Sequence, residues 1–333
     1  MDSSTLPFEP PRPVRASTLL LIACATWAAC IFYTLYQNPE VAHYAEGARL
    51  KTAWAKTLTD RYGHKTVVFG GSSCEFSIDG ERLLDLHQLP VTNFGGHAGM
   101  GAPVLAEAAL GAVRPGDTLI VAIEQSLLTG SANQTSLGIQ FSAATHHPEW
   151  VNHPALGVGA TNWIQILAAL RPGGYHTGVL LGKLLHGQPV FSYPHSTYRG
   201  ASGWSQSVMR HPFHGPEWFQ GGLSPGGCQL LQNLKAWCDA HQVRIAYALP
   251  WCYSSEQDAP RFRRDNQRLL IQIAAIMPVL KDPKLGAYTE REHFADTAYH
   301  LNEAGVAARC AELARGLKAW EVWSPAELES WNP

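Results

Sequence analysis

Residues 65–73 read KTVVFGGSS, a β-type apolar run that stops abruptly at two glycines and two serines. Val67, Val68 and Phe69 predict a buried strand, and Gly70-Gly71 give the backbone a turn that a Cβ would resist. Taken alone, Gly-Gly-Ser-Ser is an ordinary polar turn between a strand and a helix. A serine there nevertheless stands at the carboxyl edge of a sheet, where open α/β sheets place their ligand sites.

Working downstream, Asp79 is placed to cap a short helix through residues 81–86, and residues 89–93 (LPVTN) form a second strand. That strand also ends in glycines, NFGGHAGMG over residues 93–101. An Ala/Leu-rich helix over 103–113 then leads through Arg114-Pro115-Gly116-Asp117 into a third strand, 118–123, which stops at Glu124-Gln125-Ser126. Strand, helix, strand, helix, strand with short turns is the pattern of a parallel α/β sheet. From 131 to 222 the alternation is lost, and Pro, Gly, His and Trp punctuate the chain, as in HHPEW (146–150), RPGG (171–174) and HPFHGPEW (211–218). Only 162–170 and 178–185 read as helices. So long an irregular stretch inside a compact domain reads as a lid or binding insertion, not a connection. Its paired His146 and His147 have no further ligand at metal spacing and read as loop histidines.

Regularity returns with a helix over 225–241, an apolar strand over 243–249 and a helix over 258–276. The polar run HFADTAYHLNEAG (293–305) precedes a last long helix that ends at about Trp320. The expected domain therefore spans 64–322, with 323–333 as a C-terminal tail.

Upstream, residues 17–36 carry no charge, and twenty residues at ~1.5 Å rise match the ~30 Å hydrocarbon layer. This predicts one transmembrane helix after a polar tail, 1–16, and before a juxtamembrane helix, 37–63. Arg12 and Arg15 precede the span whereas Glu40 and Glu46 follow it. The positive-inside rule then leaves the amino terminus in the cytoplasm and the main domain on the far side of the membrane. Leu21-Ile22-Ala23-Cys24 also looks like a lipoprotein cleavage box, but the apolar run continues well beyond it and favours an uncleaved helix.

Composition narrows the function classes. The 333 residues are 46% apolar and 16% charged, with a formal charge of −2, so no electrostatic field points to nucleic acid. Seven cysteines show no CxxC and no zinc-ligand spacing and read mainly as small buried residues. No metal or nucleotide signature is present, and no cofactor is expected.

Three residue types with a shared chemistry stand in turns: Ser72 after the first strand, and Asp296 and His300 before the last helix. A serine hydroxyl needs a base within reach, and that histidine needs an acid to fix its tautomer. The chain order Ser, Asp, His, with FGGS (69–72) and NFGGHAG (93–99), resembles the SGNH or GDSL-like hydrolase superfamily. The resemblance covers about 64–128 and 224–320. It implies a three-layer sandwich with a central parallel sheet of the SGNH/flavodoxin-like type, with Ser72 as nucleophile and Ser73 as the second candidate. It also implies a backbone oxyanion donor at Gly99 or Gly96 beside His97. The sequence departs from the family in two places. It has Asp-x-x-x-His where Asp-x-x-His is usual, and Glu124-Gln125 where the third block carries an oxyanion Asn. Gln125 is the candidate amide donor, and Glu124 is assigned to substrate binding or to bracing the turn. The chain is similar to a membrane-tethered extracytoplasmic branch that includes alginate O-acetylation and teichoic-acid D-alanylation proteins. That similarity implies an esterase or O-acyltransferase of the inner membrane facing the periplasm. Its substrate would be a cell-surface polysaccharide, and a multi-pass membrane acyltransferase would be a possible partner. The alternative is an inactive scaffold of the same fold that binds a polysaccharide or such a partner.

Overall fold

The structure is a computed structural model, and it describes residues 15–130, 135–152, 156, 163–170, 174–188, 197–206, 213, 215, 219 and 222–331. The amino-terminal tail up to residue 14 and most of the runs 171–174 and 211–218 lie outside the described residues.

Two helices open the chain, α1 (Ala16–Tyr36) and α2 (Pro39–Tyr62). α1 is long and apolar enough to cross a membrane, and of its residues only Thr34 is buried. Pro39 breaks the continuity, and Asn38 restarts the helix by accepting the Glu40 N–H at 3.0 Å. α2 is not a free stalk. Val41, Tyr44, Lys51, Ala55 and Leu58 are buried, and their helical spacing lays one face of α2 onto the domain. Tyr44 and Ala55 of α2 belong to the core of the domain.

The first α/β units are β1 (Thr66–Phe69), α3 (Ser72–Glu75), α4 (Gly80–His87), β2 (Val91–Asn93), α5 (Ala102–Leu110) and β3 (Thr118–Val121). Asp79 caps α4 by accepting the N–H groups of Glu81 and Arg82. α6 (Gln125–Thr129) follows β3, and the irregular stretch contains α7 (Ser136–Ala144), α8 (Trp163–Ala169), α9 (Gly174–Leu185) and a short hairpin of β4 (Thr197–Arg199) with β5 (Trp204–Gln206). Then follow α10 (Pro225–Ala240), β6 (Arg244–Tyr247), β7 (Cys252–Tyr253), α11 (Ala259–Ala274), β8 (Val279–Leu280) and β9 (Ala287–Tyr288). The chain closes with α12 (Glu303–Ala319), β10 (Val322–Trp323) and α13 (Pro325–Ser330).

Six strands form a mostly parallel sheet in the order β10-β8-β6-β3-β1-β2, antiparallel only at β10. Side chains alternate across it. Val67, Phe69, Leu119, Val121, Ile245 and Tyr247 face α5, α10 and α11, whereas Val68, Ile120 and Ala246 face α4 and α12. Both faces are covered, which is why these strands read as continuous apolar runs. β1 lies between β2 and β3, so the chain reverses its direction of winding there, and the carboxyl ends of β1 and β3 flank the switch-point crevice.

Residues 323–331 pack on the domain and are not a free tail. β10 pairs with β8 as an edge strand, Leu328 of α13 is fully buried, and the Gln267 amide donates to the Trp331 carbonyl at 2.9 Å. The strand and helix are too short for sequence periodicity to reveal.

Candidate active site

At the carboxyl end of β1 the chain turns at Gly70-Gly71 and begins α3 at Ser72. The glycines are required by space, not by dihedral angle. Gly71 has φ −80°, but a Cβ there would lie 2.4 Å from the Glu124 carboxylate, and one on Gly70 would lie 2.0 Å from the Ala122 carbonyl oxygen. Glu124, from the end of β3, accepts the Gly71 N–H at 2.9 Å and the Ser73 N–H at 2.8 Å. It therefore closes the crevice between β1 and β3 and braces the serine turn, which is one of the two roles the sequence offers it. Ser72 is half-buried, and among the described residues neither its hydroxyl nor its N–H has a hydrogen-bond partner. Ser73 is buried, and among the described residues its hydroxyl has no hydrogen-bond partner.

Asp296 and His300 meet. Asp296 Oδ1 lies 3.0 Å from His300 Nδ1, and both residues are buried. The extra residue of Asp-x-x-x-His is absorbed by a tight loop. The Ala295 N–H donates to the His300 carbonyl at 2.8 Å and the Asn302 N–H to the His293 carbonyl at 3.0 Å, closing the loop like a hairpin. Inside it, Thr297 Oγ1 accepts the N–H groups of Tyr299 and His300. Asn302 then caps α12 through the Gly305 N–H. The serine turn lies against this loop, because Phe76, whose N–H bonds the Ser72 carbonyl, packs its ring 4.4 Å from the His300 imidazole.

Comparison with family models, curated proteins and solved structures finds no match.

The other expected donors are engaged elsewhere. The Gly96 N–H donates to the Gly70 carbonyl at 3.0 Å, and the Gly99 N–H donates to His97 Nδ1 at 2.9 Å. His97 thus carries its proton on Nε2, and burial, followed by the nearby His300, keeps it below the usual histidine range. Gln125 is fully buried and donates its amide to Asn266 at 3.2 Å, so it is not a free oxyanion donor. Asn93, quoted in the glycine block, is the brace. Its amide donates to the Cys74 and Ile78 carbonyls at 2.9 and 2.8 Å, and its Oδ1 accepts the Gly95 N–H at 2.7 Å.

The tertiary fold adds four residues that the sequence reading passed over. Lys51 of α2 is 3% exposed and donates its ammonium to the Gly95 carbonyl. Beside it, Glu75 is also buried, and the Tyr198 hydroxyl donates to its Oε1 at 3.4 Å. Burial first, then Lys51 and His300 in opposition, sets the Glu75 carboxyl above its usual range, and burial lowers Lys51. His43 stacks on Tyr198 at 4.5 Å, and burial together with Lys51 pushes it down to about 4. A cleft lined by Tyr44, Ala48, Lys51, Gly96, Phe141 and Tyr198 opens beside this group. One signal for it was legible. Tyr44, Ala48, Lys51, Ala55 and Leu58 share a helical face, and a lysine on such a face must find a partner.

Proposed function

We propose that the chain is a membrane-tethered acyl-transfer enzyme of SGNH type, with Ser72 as nucleophile, His300 as base and Asp296 as its orienter. The observation that carries this reading is the buried 3.0 Å contact of Asp296 with His300 against the serine turn. Asp296 holds the proton on Nδ1, which leaves Nε2 to accept the Ser72 proton as Oγ attacks an ester carbonyl. The imidazolium then returns that proton to the leaving alkoxide, and an acyl-serine remains. Water releases the acid, or a sugar hydroxyl takes the acyl group, with His300 again as base. The polar, aromatic-rich surroundings and the apolar α1 support a cell-surface polysaccharide as substrate. The basic residues before α1 and the acidic ones after it support placing the domain on the far side of the inner membrane, where a multi-pass acyltransferase would supply acyl groups.

A specific observation favours the scaffold reading as the second. The glycine donors expected at the oxyanion, Gly96 and Gly99, are already bonded, and Glu124 also holds the neighbouring N–H groups of Gly71 and Ser73. Loss of one such donor costs about 10²–10³ in kcat. An enzyme relying on the Ser72 N–H alone would be slow.

A fluorophosphonate probe separates the two. Labelling of the wild type and of Ser73→Ala, abolished in Ser72→Ala and His300→Ala, is the expected result. A folded wild type that takes no label would leave the scaffold reading.

A further inference from the structure

We propose that α8 and α9 form a second membrane contact, lying in the headgroup boundary of the same bilayer that α1 enters. This rests on the reading of α1 as a membrane span.

α8 is apolar on two faces. Ile166, Ala169 and Leu170 turn inward and pack with Ile139 of α7 and with Val151. The opposite face carries Trp163, Ile164 and Leu167, and Trp163 is 69% exposed. α9 repeats the pattern of exposure with Leu181, Leu184 and Leu185, the last 84% exposed. A surface helix normally keeps a polar side to water, and one that is apolar all round belongs in a core or in lipid. Two adjacent elements exposing large aliphatics and a tryptophan exceed the scattered apolar residues of an ordinary surface.

Position and charge select lipid as the occupant. α7, to which α8 is bound by its core contacts and by the Gln140 amide donating to the Ala169 carbonyl at 2.6 Å, packs directly against α1. Among the residues of α1 only Thr34, near its carboxyl end, is buried, so the domain meets the span where it would leave the bilayer. The exposed face of α8 is thus carried by the element nearest the membrane, and α9 follows α8 within five residues of chain. Between Glu124 and Glu217 the sequence has a single carboxylate, Glu149, while Arg171, Lys183, Arg199 and Arg210 are basic. A stretch with one carboxylate, apolar helices, an exposed tryptophan and a few cations suits an anionic lipid surface. It does not need a protein partner.

The test uses the full chain in phosphatidylcholine/phosphatidylglycerol vesicles, with one fluorescent amino acid placed in turn at Trp27, Leu86, Leu167 or Leu184. Leu86, exposed on α4, is the aqueous reference. Lipid carrying a shallow doxyl group should quench the probes at Leu167 and Leu184 and not the one at Leu86, while iodide in the water should do the reverse. Adding Leu181→Glu should cut the lipid quenching at Leu184 by about twofold or more, since a charge is expelled from the interface. Iodide quenching of both helices at the Leu86 level would overturn the proposal. Shielding from both quenchers would do so too, since it would mean that a second copy or another protein covers them. The Trp27 probe reports the anchor separately. Lipid quenching there with aqueous α8 and α9 overturns only this inference, whereas an aqueous Trp27 overturns the span on which it rests.

Discussion

Glu124, just beyond the end of β3, holds the serine turn together through two charge-assisted hydrogen bonds. Glu124→Gln retains one acceptor and turns an NH2 group toward the other N–H. That change should cost about 1.5–3 kcal/mol, read by chemical denaturation. Gly71→Ala acts on the same contact from the other side, because its Cβ must displace the carboxylate, and a loss of about 2–3 kcal/mol is expected. An unchanged midpoint in both variants would mean that the brace is not what fixes the turn. His43 gives a pH signature. Its ordinary value is 6.5, and in the fold it is held at about 4. Between those values the unfolded chain binds a proton that the folded chain does not, so stability falls as pH drops from about 6.5 toward 4. His97, also held below its ordinary range, adds with the same sign. His43→Phe keeps the stacking on Tyr198 and should flatten the stability profile across that window. A profile as steep as the wild type's would assign the acid sensitivity elsewhere.

At the scale of elements, α2 joins α1 to the sheet, with two buried lysines at the junction. Lys51 reaches the glycine block after β2. At the other end of α2, Lys65 donates to Thr59 Oγ1 at 3.0 Å and pairs with Asp117, each side chain 1% exposed. Asp117 also accepts the N–H groups of Lys65 and Arg114 at 2.9 Å, so it holds the starts of β1 and β3 together. Lys65→Met would leave that carboxylate buried without its cation, and a loss of about 3–5 kcal/mol is expected by thermal or urea denaturation. The sequence marks Asp117 only as part of an Arg-Pro-Gly-Asp turn. Its partner lies across two strands, and no local pattern names it.

Over the whole molecule, the folded unit begins at α2 and runs through α13. A chain starting at Asn38 should keep the melting temperature of the full protein within a few degrees, because Thr34 is the one buried residue of α1. A chain starting at His64 should fail to give a cooperative transition, since it loses the buried face of α2 and exposes the sheet beneath. Equal behaviour of the two truncations would show that α2 is dispensable. The alternation of strands and helices from residue 65 to 123 and from 225 to 320 was legible because both faces of the sheet are covered and α4, α5, α10 and α12 each have a side-chain cap or a glycine stop. β8, β9, β10 and α13 were not, since two-residue strands and a six-residue helix are shorter than any period that could mark them.

The sequence by itself determined the apolar α1, the parallel α/β core and the two turns that carry Ser72 and, together, Asp296 and His300, because periodicity, charge and glycine are local properties. Only the tertiary structure decided which groups those turns spend their hydrogen bonds on. It paired Asp296 with His300 across an extra residue and gave the Gly99 N–H to His97. It closed the switch-point crevice with Glu124 and brought Lys51 and Glu75 into contact with the site. Each of these is a contact between side chains or backbone groups set by packing distances of a few ångströms, and residue spacing along the chain does not encode them.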